Sequence, residues 1–162
     1  TSNTATFENL LDTIASKGIP VHAAEAGKTI CSTDDVSATV LSPREASYSN
    51  LNDWSVILEV KVGEKSFLFT GDASTGIIEK ACAHHVDVLK VGHHGSKTST
   101  DAQLVNQLSP SYAVISVGRN NSYGHPSSEV LSALSSVPHL YRTDLQSTIT
   151  IECDGTSLAK AA

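Results

Sequence analysis

The chain has 162 residues, of which 40% are hydrophobic and 17% are charged, a composition typical of a globular domain with a sizeable core. No apolar run is long enough to cross a bilayer, and no signal peptide is recognisable. The net charge of -6 argues against a surface that holds a polyanion by counterion release alone. It still permits a phosphodiester substrate, because bound metal ions supply local positive charge.

Two rare residue types bear on the chain's origin and chemistry. The sequence contains no methionine, so we expect that residue 1 is not the natural start; removal of the initiator Met is the alternative. The three cysteines, Cys31, Cys82 and Cys153, lie far apart and form no Cys-x-x-Cys pair, which makes a thiolate zinc site unlikely by pattern. Buried free thiols are the default interpretation.

The first third of the chain predicts one helix and several short strands. Residues 4–17 place apolar side chains on one helical face, and Gly18 followed by Pro20 marks the end of that helix. The apolar positions are Phe7, Leu10, Leu11 and Ile14. Short β-like segments follow at 20–23, 29–31 and 36–41, and a polar loop covers residues 42–53.

A β-hairpin is the clearest local signal. Residues 55–62 and 66–70 are β-rich and are joined across Gly63, Glu64 and Lys65. The rest of the chain alternates between the two element types. Helices are predicted near 73–83, 100–108 and 128–136, and strands at 86–91, 112–117, 140–143 and 148–153. This alternation predicts an α/β fold.

Three predicted strands end in polar, glycine-rich loops, at 70–73, 91–98 and 118–126. In layered α/β folds, ligands collect at the carboxyl ends of the strands. The loops carry the carboxylate of Asp72 and the imidazoles of His93, His94 and His125. Oxygen and nitrogen donors of this kind bind hard or borderline metal ions, so the loops predict part of a metal-dependent hydrolase.

Each of these residues also has a purely structural interpretation. Asp72 is either a metal ligand or the N-cap of the helix predicted to start near residue 73. If His93 and His94 are not functional, one packs in the core and the other is exposed, because adjacent side chains alternate. Pro126 suits the first position of a helix. His125 would then lie near an electropositive helix N-terminus, where an anion binds, or would only stabilise the loop.

The remaining polar residues divide into two groups. Ser96 and Lys97 add a hydroxyl and a cation beside the imidazoles. His84-His85 resembles the other histidine pair but precedes a strand, so we expect it at the opposite edge of the sheet, on the surface. His22 and His139 are isolated, and the same surface interpretation applies to them.

Taken in order, the motifs Thr-Gly-Asp, His-His-Gly-Ser and Asn-Ser-Tyr-Gly-His-Pro closely resemble the C-terminal half of the metallo-β-lactamase superfamily. Within it, the chain is most similar to the hydrolase domains of the ComEC family of DNA-internalisation competence proteins. The resemblance covers essentially the whole chain, and its motifs are specific as a set. The matching stretches are 52–58, 67–73, 88–99, 115–118, 121–126 and 141–144.

The resemblance implies a role for each candidate residue. Asp72 would bridge two divalent metal ions, either zinc or manganese. His94 is the preferred ligand of the second ion, with His93 as its neighbour that contacts the substrate, although the two can exchange roles. His125 would contact the phosphate or donate a proton to the leaving group. The implied catalytic set is Asp72, His93, Lys97 and His125; the implied substrate-binding set is Ser96, Lys97, Asn121 and His125.

One departure from the family pattern is large. The main metal motif, His-x-His-x-Asp-His, is absent. The resemblance therefore implies that residues 1–162 are the C-terminal portion of one four-layer αββα metallo-β-lactamase-like domain, whose N-terminal portion carries that motif. It further implies a membrane-channel portion in the parent protein, a location on the extracytoplasmic side of the cell membrane, and degradation of the DNA strand that is not taken up.

Two other functions fit the same residues. Related hydrolases act as phosphorylcholine esterases on cell-wall polymers, which would change the substrate and keep the fold. The missing motif also suits a non-catalytic binding module with a degenerate metal site. Retention of Asp72, His93, His94 and His125 favours the hydrolase, because a purely structural domain has no need of them.

Overall fold

A computed structural model describes residues 4–161 of the chain. In this part, the chain forms five α-helices and nine β-strands. In chain order they are α1 (Ala5–Ser16), β1 (Thr29–Ser32), β2 (Val36–Ser42), β3 (Ile57–Val62), β4 (Lys65–Phe69), α2 (Thr75–Ala81), β5 (Val88–Lys90), α3 (Ala102–Leu108), β6 (Tyr112–Ile115), α4 (Ser128–Ala133), β7 (His139–Arg142), α5 (Thr143–Gln146), β8 (Ile151–Cys153) and β9 (Leu158–Lys160).

Within residues 4–161, seven strands form one sheet in the order β1 to β7, and β8 pairs with β9 in a separate hairpin. Strands β1 to β4 pair antiparallel, whereas β4 to β7 pair parallel. Parallel neighbours need crossover connections, and α2, α3 and α4 lie in these connections. The carboxyl ends of β4, β5 and β6 therefore lie at one edge of the sheet.

The two faces of the sheet differ in burial. One face carries Leu68, Leu89 and Ala113, which are buried with side chains from α2, α3 and α4 in the main core. The other face is more open, because Phe69 is 44% exposed and Val114 is half-buried. A groove on this open face of about 280 Å³ is partly covered by Ile149 and Ile151.

The α/β class is confirmed, and several element predictions need correction. No strand forms at 20–23 within the described chain. The hairpin turn has two residues, because Lys65 already pairs with Val62 in β3. The short strand β9 has no counterpart in the sequence prediction. Pro126 is not the first helical residue, because α4 begins at Ser128 with Ser127 as its N-cap.

The cysteines also depart partly from expectation. Cys82 is buried, Cys153 is half-buried and Cys31 is exposed, and all three thiols are free. Burial raises the pKa of the Cys82 thiol, so this thiol is poorly reactive at neutral pH. In the part of the chain that the structure describes, no helix combines the length and the apolar composition needed to span a membrane.

Candidate functional site

The loops that follow β4 and β5 are joined directly. The backbone N–H of His93 donates to the carbonyl of Gly71 at 2.9 Å, and that of Thr75 donates to Thr98 at 2.9 Å. Gly71 has a φ of +55°, and a Cβ atom there would lie 2.8 Å from the Cβ of Ser55. Only glycine suits this position. The turn at Gly71 thus brings the aspartate loop against the histidine loop.

Asp72 does not cap α2. The helix begins at Thr75, and its N-cap position is Ser74, which makes no side-chain capping bond. The backbone N–H of Asp72 donates to Ser55 Oγ at 3.0 Å, while its half-buried carboxylate accepts no hydrogen bond and forms no ion pair within residues 4–161. The helix-cap interpretation is therefore wrong, and the carboxylate is available for a ligand.

His93 and His94 have an unusual backbone conformation. Their φ angles are +47° and +56°, so both lie in the left-handed region, which costs about 1–2 kcal/mol per non-glycine residue. Two strained residues in succession persist only where the surrounding structure holds them, and such strain is common at ligand-binding sites. The strain turns both rings away from the core: His93 is half-buried and His94 is exposed. The interpretation with one core histidine is therefore wrong.

The side chain of His94 is oriented by the next strand. Its Nδ1 lies 2.8 Å from the carbonyl oxygen of Ser116, and only a protonated Nδ1 can donate to a carbonyl. In the neutral ring, Nε2 then keeps its lone pair. Metal-binding histidines commonly donate their other ring nitrogen to a carbonyl in this way. His93 has only a long 3.5 Å contact between Nδ1 and Thr98 Oγ1.

His125 lies next to this pair. Its ring centroid is 5.9 Å from that of His93, which in turn is 6.3 Å from that of His94. Asn121 organises the loop that carries His125. The side-chain Oδ1 of Asn121 accepts from the backbone N–H groups of Tyr123 and His125, and its Nδ2 donates to the carbonyls of Gly118 and His125. This full set of bonds favours a positioning role for Asn121 over direct substrate contact.

Two other candidates point elsewhere. Ser96 is 6% exposed, and its hydroxyl bonds to Thr98 Oγ1 at 3.0 Å, so it supports the loop. Lys97 is exposed and lines a surface groove with Glu129, whose charge it opposes. The structure brings neither side chain into contact with the imidazoles.

Lys90 is a polar residue near the site that sequence reasoning missed. It lies at the end of β5 on the open face of the sheet, beside Phe69 in the register. Burial lowers the pKa of its ammonium group, and the charge of Asp72 acts in the opposite direction. Successive side chains along a strand point to opposite faces of the sheet. Because Leu89 is buried in the core, Lys90 is expected on the other face, and this alternation was the signal that could have identified it.

The donor set agrees in type with a metal site and is incomplete in number. A carboxylate and neutral imidazoles suit zinc or manganese, but within residues 4–161 no group of three His, Cys, Asp or Glu side chains converges closely enough to hold an ion. A closed or catalytic zinc site uses at least three protein ligands. Further ligands would have to come from outside the described residues.

Comparison with known proteins identifies relatives of the chain. ComE operon protein 3 of Bacillus subtilis is 35% identical over 152 residues, which are 88% of this chain and 19% of the relative. Recombination protein 2 of Haemophilus influenzae is 38% identical over 67% of this chain and 14% of the relative. Competence protein ComA of Neisseria gonorrhoeae is 36% identical over 69% of this chain and 17% of the relative.

This chain is related to the ComEC competence proteins. It spans one fifth or less of the length of the three relatives. No protein-family model matches the chain. The match to ComE operon protein 3 covers 88% of the chain, so the similarity extends beyond the three loops.

Proposed function

We propose that this chain is the C-terminal portion of a metal-dependent phosphodiester hydrolase domain of a ComEC-like protein. In this proposal, the complete domain degrades the DNA strand that is not taken up during natural transformation. The names of the relatives, which refer to competence and recombination, support a role in transformation. One observation carries the hydrolytic part: an unpartnered carboxylate and three imidazoles lie on adjoining loops at one sheet edge.

The available donor atoms assign a different role to each residue. Asp72 and His94 act as metal ligands, since the carboxylate accepts no hydrogen bond within residues 4–161 and the His94 ring is oriented by Ser116. His93 and His125 lie beside them and would donate hydrogen bonds to phosphoryl oxygens or a proton to the leaving oxygen. Divalent zinc or manganese ions, when bound, lower the pKa of water towards neutrality and polarise the phosphoryl group.

The open face of the sheet supports the proposal that a further portion of the same domain covers this chain. Phe69 and Val56 are 44% and 46% exposed, and Leu58, Phe67 and Val114 are half-buried. Contiguous apolar surface of this kind marks an interaction site. We propose that the N-terminal portion, with the His-x-His-x-Asp-His motif, packs there and supplies the missing ligands. We also propose that the parent protein contains a membrane-channel portion and that this domain lies on the extracytoplasmic side.

The central experiment removes the proposed bridging carboxylate from the natural full-length protein. Asp72→Ala is expected to lower the turnover of single-stranded DNA in manganese or zinc by at least about 100-fold, because loss of a residue that only orients a metal ligand already costs about 10- to 100-fold. Bound metal, measured by elemental analysis, falls in parallel. Asp34→Ala is the matched control, since this exposed aspartate forms no ion pair within residues 4–161, and it is expected to retain activity and metal.

The outcomes separate the alternatives. Undiminished turnover by correctly folded Asp72→Ala protein contradicts the proposed role. A panel of single-stranded DNA, bis-p-nitrophenyl phosphate and choline-phosphate esters distinguishes a nuclease from an esterase of the phosphorylcholine type. If the wild-type protein binds no metal and hydrolyses none of these substrates, the chain is a non-catalytic binding module, the function to which its incomplete donor set would point.

A further inference from the structure

The loop between β6 and α4 exposes an aromatic ring that hydrolysis itself does not use. Tyr123 is 82% exposed, and its ring lies nearly parallel to that of His125, with an interplanar angle of 18° and a centroid distance of 6.0 Å. An exposed tyrosine alone needs no explanation. Its parallel alignment with a histidine of the candidate site gives it a position relative to the chemistry.

The loop holds Tyr123 in place before any ligand binds. The side-chain oxygen of Asn121 accepts from Tyr123 N at 3.2 Å and from His125 N at 3.0 Å. The Asn121 amide donates to the His125 carbonyl at 2.6 Å. These bonds fix the backbone on both sides of the tyrosine, so a ligand that stacks on the ring meets less of the ordering cost that weakens binding to mobile loops.

The geometry also sets the distance to the candidate hydrolytic centre. The ring of His125 lies between those of Tyr123 and His93, with centroid distances of 6.0 Å and 5.9 Å. A flat group stacked on the outer face of Tyr123 would therefore be separated from His93 by the rings of Tyr123 and His125. In a single strand, a base held there belongs to a nucleotide that neighbours the phosphate at the histidines.

The charge around the tyrosine differs from that of the chain as a whole. The net charge is -6, yet none of the 17 acidic residues falls in the loops 91–98 and 118–126, which contain Lys97 and Arg119. Arg119 is exposed, and its Nε donates to the carbonyl of Asp144 at 3.1 Å. Its terminal guanidinium nitrogens form no hydrogen bond within residues 4–161. Their charge acts on the Asp144 carboxylate, but that carboxylate is already paired with Arg142, so the Arg119 nitrogens can still meet a phosphate.

We propose that Tyr123 is a stacking platform for an unpaired nucleobase and that Arg119 binds an adjoining phosphate, which makes single-stranded nucleic acid the preferred substrate of the site. An aromatic ring next to backbone-binding cations is the general device for holding single strands, because every base has a π-face. This inference rests on the proposed phosphodiesterase function, which it deepens by assigning the residues that select the substrate.

The test measures equilibrium binding to the natural full-length protein in EDTA, where no hydrolysis takes place. The probes are a single-stranded oligonucleotide that carries 2-aminopurine and the same strand with abasic sites. Tyr123→Ala is expected to weaken binding of the base-containing strand about 5- to 140-fold, because stacking contributes about 1–3 kcal/mol per base. It leaves binding of the abasic strand unchanged.

Conservative variants isolate the stacking contribution. Tyr123→Phe keeps the affinity and the quenching of 2-aminopurine fluorescence, whereas Tyr123→Leu keeps apolar bulk and loses both. Arg119→Gln weakens binding of both strands by the same factor. It also lowers the slope of log Kd against log salt concentration by about one, as expected for the loss of one phosphate contact.

Equal affinity of wild type and Tyr123→Ala for the base-containing strand, or equal losses on both strands, overturns the inference. Tyrosine-dependent binding without hydrolysis in added metal would retain the stacking role and reject the proposed hydrolase.

Discussion

The two histidine pairs on either side of β5 have similar sequences and opposite environments. In the His84-His85 pair, His84 Nε2 lies 2.7 Å from the carboxylate of Glu59, and His85 Nε2 lies 3.9 Å from that of Asp87. Both carboxylates are buried. The ring of His93 makes edge contacts with the rings of His94 and His125, and neither histidine of this pair has a carboxylate partner among residues 4–161.

The difference shows how a fold separates structural from functional polar groups. At the amino end of β5, His84 makes a hydrogen bond with a buried carboxylate, which offsets part of the cost of burying that group. At the carboxyl end, imidazoles stand on strained backbone with nitrogen atoms left over for a ligand. Unused hydrogen-bonding capacity, together with strain, distinguishes the candidate site more sharply than residue type does.

The largest expected effect on stability comes from a substitution at Gly95, in the loop that carries His93 and His94. A Cβ atom on Gly95, which has a φ of +84°, would lie 2.5 Å from the Cβ of Pro126. Gly95→Ala is therefore expected to lower the free energy of unfolding by about 2–5 kcal/mol, from left-handed strain and overpacking together. Urea unfolding followed by circular dichroism measures the change.

Two other glycines serve as controls for this substitution. Gly124 has a φ of +70° with open space around it, and Gly118 has neither a positive φ nor a close neighbour. Gly124→Ala should cost about 1–2 kcal/mol from strain alone, and Gly118→Ala should be neutral or slightly stabilising. A Gly95→Ala protein as stable as Gly118→Ala would show that the histidine loop does not pack tightly against Pro126.

The next-largest effect concerns the buried carboxylate of Asp87 and its dependence on pH. Burial raises the pKa of Asp87, but hydrogen bonds from the Ser66 N–H and hydroxyl, with Lys65, outweigh burial and leave the pKa below its usual value. Because the folded pKa is the lower one, this carboxylate stabilises the protein above about pH 4, and the contribution is lost as the pH falls through the folded pKa.

Asp87→Asn should therefore cost about 1–3 kcal/mol at neutral pH and flatten the loss of stability below about pH 4. Urea unfolding over a pH series gives both quantities. Asp34→Asn is the matched control, because Asp34 is exposed and has no ion pair in the described part of the chain. The same acid-induced loss in wild type and Asp87→Asn would count against the importance of this buried pairing.

The smallest effect compares the two histidine pairs directly. At His93, glycine should be more stabilising than alanine by about 0.5–1 kcal/mol, because only glycine relieves the left-handed strain. At His85, which does not have a positive φ, the order should reverse by about 0.4–1 kcal/mol. Differential scanning calorimetry of the four variants gives the order of stability of glycine and alanine at each position. The same order at both positions would show that the backbone at His93 is not strained.

The sequence predicts the α/β class and the edge where the loops meet, because strand ends and glycine-rich loops are local signals. It cannot show what a loop residue binds within its own loop. The bonds of Asn121 and Ser96 inside their loops and the direction of Lys97 towards Glu129 depend on tertiary packing. The start of α2 was missed for a similar reason, since Asp72 and Ser74 are both plausible N-caps and only the contact between Asp53 and Ser74 N distinguishes them.

The change from antiparallel to parallel pairing at β4 has a consequence for the order of folding. The β3–β4 hairpin joins residues close in the chain, so its formation costs little loop-closure entropy. The parallel strands pair only after the longer crossover connections between them have formed. The loops that carry Asp72, His93 and His125 become neighbours only in the later step. We therefore expect a chain emerging from the ribosome to acquire a compact hairpin well before it acquires any capacity for chemistry at this edge.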